Sequence, residues 1–418
     1  MTARAAAYRL LQGALRSRRP VDDNFDAAVQ DLEPRDRAFV RLLVATCLRR
    51  LGQIDDVLKR FVTEPPPPAE DALRIGATQA LFLDTPSHAV VSTTVELVKR
   101  KGQDRLIGLV NAVMRKLVSE GKALLAQQDQ ASLNTPAWLL ERWTAAFGND
   151  AALAISRAHL IEPPLDLTPR SADVDVAGAI RLPTGNLRLT GGGRIEELPG
   201  YLDGQWWVQD AAAALPAQIL MAALGDERRV IDLCAAPGGK TAQLANGGCT
   251  VTAVDLSKPR MALLSENLKR LKLSADSVIA DGKVWQPQAP VDGVLIDAPC
   301  SATGTIRRHP DLPYIKRSED FARFPDIQSA LLNNASAMVK PGGVLVYSVC
   351  ALEPAEGEGV IDAFLTAHPA WRRRPIAIES IGGEQQFVTP KGDLRTLPSM
   401  WAERGGLDGF YAAVLLKA

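Results

Sequence analysis

The sequence predicts an α/β protein in which a doubly wound sheet domain follows an all-α module and a small α+β connector. Three observations predict this organisation. Apolar residues recur every three to four positions up to about residue 120, and short apolar strands alternate with helices from about residue 205 onward. A Pro-Gly-Gly turn lies between a strand and a helix in VIDLCAAPGGK, at 230–240. We expect the module at 1–125, the connector at 126–204 and the sheet domain at 205–418.

The composition is that of a globular chain with substantial cores. The 418 residues are 46% hydrophobic and 23% charged, which is enough for two or three domains. Lys+Arg and Asp+Glu both number 48, so any nucleic-acid surface has to be a local basic patch. The five cysteines form no CxxC pair, and no signal peptide or long apolar span is evident. We therefore expect a reduced, cytoplasmic protein without disulfides, structural metal or a membrane segment. We also expect a monomer.

The amino-terminal module is predicted to be helical from its periodicity at 5–15, 38–51, 72–83 and 90–98. The prolines at 65–68 are expected to form a linker between two helices. Its basic side chains have two interpretations, a solvated helix surface and an RNA-facing patch, and the sequence leaves both open. They include Arg4, Arg9, Arg16, Arg18, Arg19, Arg35, Arg37, Arg41, Arg49 and Arg50.

The connector begins with a Pro-led amphipathic helix that contains two tryptophans, at 132–147. Short strand-like runs then alternate with glycine and proline turns as far as about residue 205. The glycine run at 191–193 is more typical of a hairpin turn than of a phosphate-binding loop.

The run at 230–240 has the features of a ligand-binding turn. Pro237 fixes its own φ, while Gly238 and Gly239 allow a ligand to approach the backbone. Amide groups at the start of the next helix then face that ligand. The pattern is neither GxGxxG nor a Walker motif, which disfavours dinucleotides and nucleoside triphosphates.

Carboxylates end the strands of the predicted sheet. Asp255, Asp281 and Asp297 end or directly follow the predicted strands at 250–255, 277–280 and 291–296, as Asp232 does in the first strand. Any one of them could be a helix N-cap, but that explains the set of four poorly. Ligands bind beyond the carboxyl ends of parallel strands, where an acid can accept from a ribose diol. Asp255 is therefore the ribose candidate, and S-adenosylmethionine is the predicted cofactor.

Two cysteines follow strands of the same sheet. Cys300 lies in the loop DAPCSATGTIRRHPD, which begins at Asp297, and Cys350 ends the strand VLVYSVC. A helix at about 320–339 and a turn at 340–343 are expected between them. Small buried hydrophobes are the favoured interpretation for Cys47 and Cys249. Their position favours chemistry for Cys300 and Cys350.

Methylation at carbon 5 of cytosine needs such thiols. This carbon is a weak nucleophile until a thiolate adds at carbon 6 and makes an enamine. After methyl transfer the carbon 5 proton leaves and the thiolate is expelled. An acid such as Asp297 that bonds N3 or the exocyclic amine would select cytosine. The pattern does not rank the two cysteines, but a methyl acceptor at an exocyclic nitrogen would need neither.

The motifs that carry this chemistry resemble those of the RNA 5-methylcytosine methyltransferases. In order they are DLCAAPGGKT, AVDLS, DAPCSATGTIRRHPD, YSVCALEPAEGEG and DGFYAAVLL. Near the start, PSHAVVSTTVELVKR and GLVNAVMRKL resemble the NusB-like RNA-binding domain of the bacterial RsmB (Sun-type) branch, which acts on small-subunit ribosomal RNA. The resemblance covers nearly the whole chain and implies a Rossmann-like, S-adenosylmethionine-dependent methyltransferase domain.

By matching position, the resemblance implies that Cys350 is the nucleophile, that Cys300 assists product release and that Asp297 lies between cofactor and base. It places Asp255 on the ribose and Asp281 near the adenine. The implied cofactor loop comprises Cys234, Ala235, Ala236, Pro237, Gly238, Gly239 and Lys240.

The sequence departs from the family pattern at four places. Ala302 replaces a usual glycine, Val349 replaces a common threonine, EPAEGE lacks the usual asparagine, and DLTPR stands where Arg-Val-Asn is usual. None of these changes removes a reacting group. The predicted function is methylation of cytosine carbon 5 in RNA, with small-subunit ribosomal RNA favoured. Transfer RNA as the substrate, and a non-catalytic RNA-binding or ribosome-assembly factor that keeps the fold, are the alternatives.

Overall fold

The computed structural model describes residues 1–100, 102–191, 194–226 and 228–418. Gly192 and Gly193 of the predicted hairpin turn lie outside these ranges. The chain divides into two compact units. The helical unit is Met1–Glu162 with Ile306–Glu319, and the sheet unit is Pro163–Thr305 with Asp320–Ala418.

The helices, in chain order, are α1 (Ala3–Ser17), α2 (Val21–Val29), α3 (Pro34–Arg49), α4 (Leu51–Lys59), α5 (Pro67–Phe82), α6 (Ser87–Arg100), α7 (Ile107–Leu125), α8 (Gln130–Asn134), α9 (Ala137–Phe147), α10 (Asn149–His159), α11 (Ala211–Ala223), α12 (Gly239–Asn246), α13 (Lys258–Leu271), α14 (Leu312–Ile315), α15 (Phe324–Met338) and α16 (Glu358–Ala367).

The strands are β1 (Leu165–Pro169), β2 (Ala179–Arg181), β3 (Leu187–Leu189), β4 (Trp206–Val208), β5 (Arg229–Leu233), β6 (Thr250–Asp255), β7 (Asp276–Ile279), β8 (Val291–Asp297), β9 (Val339–Val349), β10 (Trp371–Arg374), β11 (Leu394–Thr396) and β12 (Phe410–Lys417).

The helical unit packs α1, α3, α5 and α7 around one apolar core, as the periodicity predicts. Cys47 is fully buried in this core, and burial raises the pKa of its thiol to about 12. The expected linker at 65–68 is wrong in part, because Pro67 and Pro68 form the first turn of α5. Proline is tolerated there because the first amide groups of a helix need no intrahelical acceptor.

Ile306–Glu319 belongs to the helical unit, although it follows the Cys300 stretch in the chain. The hydroxyl of Tyr314 donates to the backbone oxygen of Leu48 at 3.1 Å. The carboxylate of Asp311 accepts from the backbone nitrogen of Val21 at 2.8 Å. The helical unit is therefore discontinuous in sequence, which the periodicity of 1–120 does not predict.

The large sheet of the described residues has the order β10-β12-β9-β8-β5-β6-β7, with β11 also paired to β12. Strands β5 to β9 pair with one another in parallel, whereas β12 pairs antiparallel with β9, β10 and β11. α11 and α12 pack on one face, and α15 and α16 pack on the other. The predicted doubly wound fold is confirmed, and its strand order reverses between β5 and β8, where such folds bind ligands.

Two local predictions in this sheet need correction. The expected turn at 340–343 lies within β9, where the pairing with β8 shifts register between Val291 and Gly293. The helix expected from residue 320 starts at Phe324, after a short 3-10 turn. Pro325 occupies its first turn, a position that suits proline.

The stretch predicted as a connector contributes to both units. α8, α9 and α10 lie in the helical unit, whereas β1 to β4 form an antiparallel sheet, in the order β2-β3-β1-β4, in the sheet unit. Asp166, in the DLTPR stretch, forms a fully buried ion pair with Arg188 at 2.7 Å. This residue is therefore used inside the sheet unit and does not present a charge at the surface.

Candidate active site

The predicted cofactor loop, residues 234–240, follows β5, extends into the first turn of α12 and has a constrained backbone. Cys234 has a φ of 61° and Gly238 a φ of 104°, both in the left-handed region. A Cβ atom on Gly238 would lie 2.9 Å from the Cγ of Leu264. Glycine is therefore required at 238 by its φ and by packing against α13, and the ligand approach that the sequence suggests stays a prediction.

One face of α13 holds this loop. The guanidinium of Arg260 donates to the backbone oxygen of Ala236, and the amide of Asn267 donates to that of Pro237 at 3.1 Å. Leu264 lies between them on the helix, so the three contacts follow helical spacing. Sequence reasoning missed these residues, and their i, i+4, i+7 spacing is the signal that could have found them.

Asp255 connects the cofactor loop to the end of β6. Its Oδ2 accepts from the backbone nitrogen of Ala236 at 3.1 Å, and its Oδ1 accepts from that of Ser257 at 2.9 Å. The side chain is buried, yet each carboxylate oxygen has further lone pairs for a ligand. Asp281, after β7, is more exposed and accepts from the backbone nitrogen of Lys283 at 3.0 Å.

Asp232 lies in β5, two residues before the predicted cofactor loop, and is fully buried. Its Oδ2 accepts from the hydroxyl of Thr241 at 2.6 Å, while its Oδ1 has no hydrogen-bond partner among the described residues. Burial raises the pKa of this carboxyl to about 7. The sequence identified this acid as the first of the strand-end set and gave it no role.

Lys240 and Asp297 join the start of α12 to the end of β8. The Nζ of Lys240 lies 2.7 Å from the Oδ2 of Asp297, whose Oδ1 accepts from the hydroxyl of Ser348 at 3.2 Å. Burial opposes the charge on Lys240, but Asp297 and the sulfur of Cys350 outweigh it and raise its pKa. Lys240 is therefore protonated at neutral pH.

The two cysteines that the sequence placed at strand ends come together. The Sγ atoms of Cys300 and Cys350 lie 3.4 Å apart, in loops that follow the neighbouring parallel strands β8 and β9. The hydrogen bond with Cys350 and burial hold the pKa of Cys300 well above its usual range. Cys300 is therefore a neutral thiol that can donate a hydrogen bond to the sulfur of Cys350.

Comparisons with known proteins identify the family of the chain. The family model described as 16S rRNA methyltransferase RsmB/F matches residues 218–416, and the NusB family model matches residues 1–119. The chain is 32% identical to ribosomal RNA small subunit methyltransferase B of Pseudomonas putida, over 100% of this chain and 99% of that protein. The chain belongs to the RsmB/F family. A probable ribosomal RNA small subunit methyltransferase B of Synechocystis is 34% identical, with both chains covered in full.

Solved structures show the same fold as this RsmB/F chain. The crystal structure of PH0851 aligns with a TM-score of 0.74 at 23% identity, over 99% of both chains. NSun6 from Pyrococcus horikoshii aligns with a TM-score of 0.56 at 20% identity, over 68% of this chain and 98% of that chain.

Membership of the RsmB/F family makes the chain an S-adenosylmethionine-dependent RNA methyltransferase. Its residues fit this cofactor. No side chain caps the N-terminus of α12, which leaves the first amide groups of that helix for a carboxylate. Asp255 is the last residue of β6 and Asp281 follows the end of β7, at the edge of the sheet where an acid can accept from a ribose or an amine.

Two further acids near the thiols escaped sequence reasoning in this RsmB/F chain. Glu353 and Glu356 lie in the EPAEGE run after Cys350 and are 5% and 1% exposed. The sequence feature that could have identified them is their position on either side of a proline, shortly after a strand-end cysteine. The same residues are also typical of a solvated acidic loop. Only the fold reveals that they are buried beside the Cys300 stretch.

The departure at Ala302 has a structural consequence. Ala302 has a φ of 60°, in the left-handed region where glycine is favoured and where the resemblance expects glycine. Its backbone oxygen accepts from the backbone nitrogen and hydroxyl of Thr305, at 3.0 Å and 2.8 Å. The loop thus keeps the turn at some cost in backbone strain, of order 1–2 kcal/mol.

None of the helices in the described ranges is both long and apolar enough to span a bilayer. Within the same residues, no three His, Cys, Asp or Glu side chains group in a way that could hold a metal ion.

Proposed function

We propose that this protein methylates carbon 5 of a cytosine in small-subunit ribosomal RNA through a covalent cysteine adduct. The observation that carries the proposal is the 3.4 Å separation of the Cys300 and Cys350 sulfurs beside Asp297. Methyl transfer to a nitrogen or oxygen would use neither thiol. Two thiols and a carboxylate at one strand-end cluster match the needs of addition at carbon 6 followed by elimination.

Several residues would hold S-adenosylmethionine, which supplies an electrophilic methyl group when bound. The cofactor loop, from Cys234 through Lys240, would surround the methionine portion. Asp255 would accept from the ribose hydroxyls, and Asp281 would lie near the adenine. Asp297 would mark the boundary between cofactor and target base, where its pairing with Lys240 orients the carboxylate.

Cys350 is the proposed nucleophile. Its sulfur can accept a hydrogen bond from the neutral Cys300 thiol. Protonated Lys240 adds a favourable charge interaction with the same sulfur. The Cys350 thiolate would form a bond to carbon 6, and the ring electrons would then be available at carbon 5.

Cys300 is proposed to act after methyl transfer. Once Cys350 is bonded to carbon 6, its sulfur is an uncharged thioether that accepts hydrogen bonds only weakly, so the hydrogen bond that is the largest cause of the raised pKa of Cys300 is weakened. Cys300 can then lose its own proton to solvent, and the thiolate formed in this way accepts the proton from carbon 5. The electron pair of that C–H bond restores the ring double bond, and the bond between Cys350 and carbon 6 breaks.

RNA binding is proposed to involve exposed arginines of the helical unit. Most of the ten arginines named in the amino-terminal module have intramolecular partners. Arg16, for example, pairs with Asp71, and Arg37 donates to the backbone oxygen of Leu32. The side chains of Arg9, Arg19 and Arg35 are exposed, and no hydrogen bond or ion pair is assigned to them among the described residues. These three can meet phosphates without breaking an internal contact.

The test of the proposed function separates the two thiols. Cys350→Ala should form no adduct and transfer no methyl group, because the enamine never forms. Cys300→Ala should attack and methylate, then remain as a protein-RNA complex that survives denaturation. Denaturing gel electrophoresis with labelled ribosomal RNA measures both outcomes.

Cys249→Ala is the matched control, since Cys249 is buried in the sheet unit away from the strand-end loops. It should turn over normally and trap no RNA. A trapped complex with Cys350→Ala and none with Cys300→Ala would reverse the two roles, and none with either would remove the covalent mechanism. Bisulfite sequencing of ribosomal and transfer RNA from a deletion strain would identify the substrate, and an unmethylated site confined to transfer RNA would refute the ribosomal assignment.

A further inference from the structure

We propose that Glu353 and Glu356 are positioning residues that hold the Cys300 loop (residues 298–305) against the Cys350 loop (residues 350–357), so that Cys300 can reach the adduct. This inference rests on the proposed function. Both acids are buried, and a buried carboxylate is costly unless it is hydrogen-bonded. The hydrogen bonds that compensate for this burial connect the Cys350 loop to the Cys300 loop.

Glu353 joins the two loops through hydroxyl groups. Its Oε2 accepts from the hydroxyl of Ser301 at 2.9 Å and from that of Thr303 at 2.5 Å. The Thr303 oxygen in turn accepts from the backbone nitrogen of Leu352 at 2.9 Å. Residues one and three positions after Cys300 are thus tied to residues two and three positions after Cys350.

Glu356 joins the loops through the backbone. Its Oε2 accepts from the backbone nitrogen of Ser301 at 2.9 Å and from the amide of Gln328 in α15 at 2.9 Å. Its own backbone oxygen accepts from the hydroxyl of Tyr347 in β9 at 2.6 Å. Glu356 therefore fixes the residue next to Cys300 relative to both a helix and the strand that precedes Cys350.

These two acids, with Ser301 and Thr303, form what we call the carboxylate bridge. In each acid the Oε1 atom is buried without a hydrogen-bond partner among the described residues. Apolar replacements of similar volume often stabilise a fold more than buried charges do, so stability alone is a weak reason for this arrangement. The need to fix the distance between the two thiols does explain the arrangement, because small misplacements of reacting groups slow a reaction strongly.

The bridge bears on one step of the reaction more than on the others. Methyl transfer requires Cys350, which directly follows β9, whereas elimination requires Cys300 to face the adduct from the other loop. Loosening the bridge should therefore slow release of the product while cofactor binding and methyl transfer continue. A merely structural role would lower stability without producing this selective delay.

The decisive pair of variants is Thr303→Val and Thr303→Ser in the full-length protein. Valine keeps the volume of threonine but cannot donate to Glu353, whereas serine keeps the hydroxyl group. Thr303→Val should accumulate a denaturation-resistant protein-RNA complex and release product at least about tenfold more slowly, and Thr303→Ser should behave like the wild type. The dissociation constant for S-adenosylmethionine should change by less than about twofold in both.

Glu353→Gln and Glu356→Gln should accumulate the same complex. Glu358→Gln is the matched control, because Glu358 is in the same segment but pairs with Arg395 at 2.6 Å, outside the bridge. If the glutamine variants fail to fold, the threonine pair alone decides.

Failure of this inference differs from failure of the proposed function. If Cys300→Ala traps RNA while Thr303→Val releases product at the wild-type rate, the bridge does not position Cys300. Equal delays in Thr303→Val and Thr303→Ser would also overturn the inference, since the hydroxyl would then be irrelevant. If Cys300→Ala traps no RNA and the wild type methylates no cytosine, the proposed function itself is overturned, and the positioning inference falls with it.

Discussion

The Nζ atom of Lys240 lies 2.7 Å from the Oδ2 atom of Asp297, which joins the start of α12 to the end of β8. Lys240 directly follows the glycines of the cofactor motif, and Asp297 comes three residues before Cys300. One ion pair therefore links the residues proposed for the cofactor to those proposed for the target base. A substitution of either residue of this ion pair should therefore affect both the proposed cofactor site and the proposed base site.

Asp297→Asn should greatly reduce adduct formation, because an amide does not balance the charge of Lys240 and accepts hydrogen bonds less strongly than a carboxylate does. The measurement is the covalent RNA complex in a Cys300→Ala background, where we expect a loss of at least about tenfold, roughly 1.4 kcal/mol in the barrier. The control is Asp292→Asn at the other end of β8, where Asp292 pairs with Lys340 at 2.5 Å. Equal trapping by Asp297→Asn and its parent would refute the assigned role.

Gly238→Ala should weaken S-adenosylmethionine binding, because the loop must shift to relieve both its left-handed φ and the contact with Leu264. A loss of about 1–3 kcal/mol in binding is expected from the strain and displacement. Gly248→Ala is the control, since Gly248 has a φ of 84° but a Cβ there would meet open space. It should lower stability alone, and unchanged calorimetric binding by Gly238→Ala would contradict the prediction.

Asp232 should make stability depend on pH. Burial raises its pKa to about 7, whereas in the unfolded chain it is about 3.9. Between these values the folded state holds a proton that the unfolded state has lost, so this contribution to stability is full below about pH 4 and disappears as pH rises through about 7. The free energy of unfolding should therefore fall by up to about 1.4 kcal/mol per pH unit in this window.

Urea unfolding of the wild type and Asp232→Asn, without cofactor, would measure this contribution. The stability of the wild type relative to the variant should decrease from about pH 5 to about pH 7. A difference between the two proteins that is constant with pH would show that Asp232 is ionised throughout.

Arg9→Gln, Arg19→Gln and Arg35→Gln should each weaken RNA binding at low salt without lowering stability, because their side chains are exposed. Each lost phosphate contact should reduce the slope of log affinity against log salt by about 0.7–0.9. Arg194→Gln is the control, since Arg194 is exposed in the sheet unit and pairs with Glu197 at 3.0 Å. An unchanged slope in the triple variant would place the RNA contacts elsewhere.

Much of the sheet unit could be predicted from the sequence. The strand ends at Asp255 and Asp297 lie where the apolar runs indicated, because strands buried between two layers of helices read as continuous apolar segments. The resemblance also gave the family, which the full-length relatives confirm. The assigned roles of the site residues stay predictions.

Other features followed only from the tertiary structure. Leu264 at Gly238, Glu353 at Ser301 and Tyr314 at Leu48 each join residues far apart in the chain, and local periodicity carries no information about such pairs. The arginines of the helical unit likewise read alike in sequence, although most have internal partners and Arg9, Arg19 and Arg35 are exposed.

By itself the sequence determined which residue types stand at the carboxyl ends of the strands, because alternating strands and helices leave only those ends open to a ligand. The tertiary structure decided how they meet. The burial of Cys300 and its 3.4 Å contact with Cys350 depend on two loops that fold onto each other. Together, the burial and the contact raise the pKa of Cys300 well above its usual range, so that this thiol is neutral. Spacing along the chain could not distinguish the two cysteines, since their difference lies in the surroundings that the fold creates.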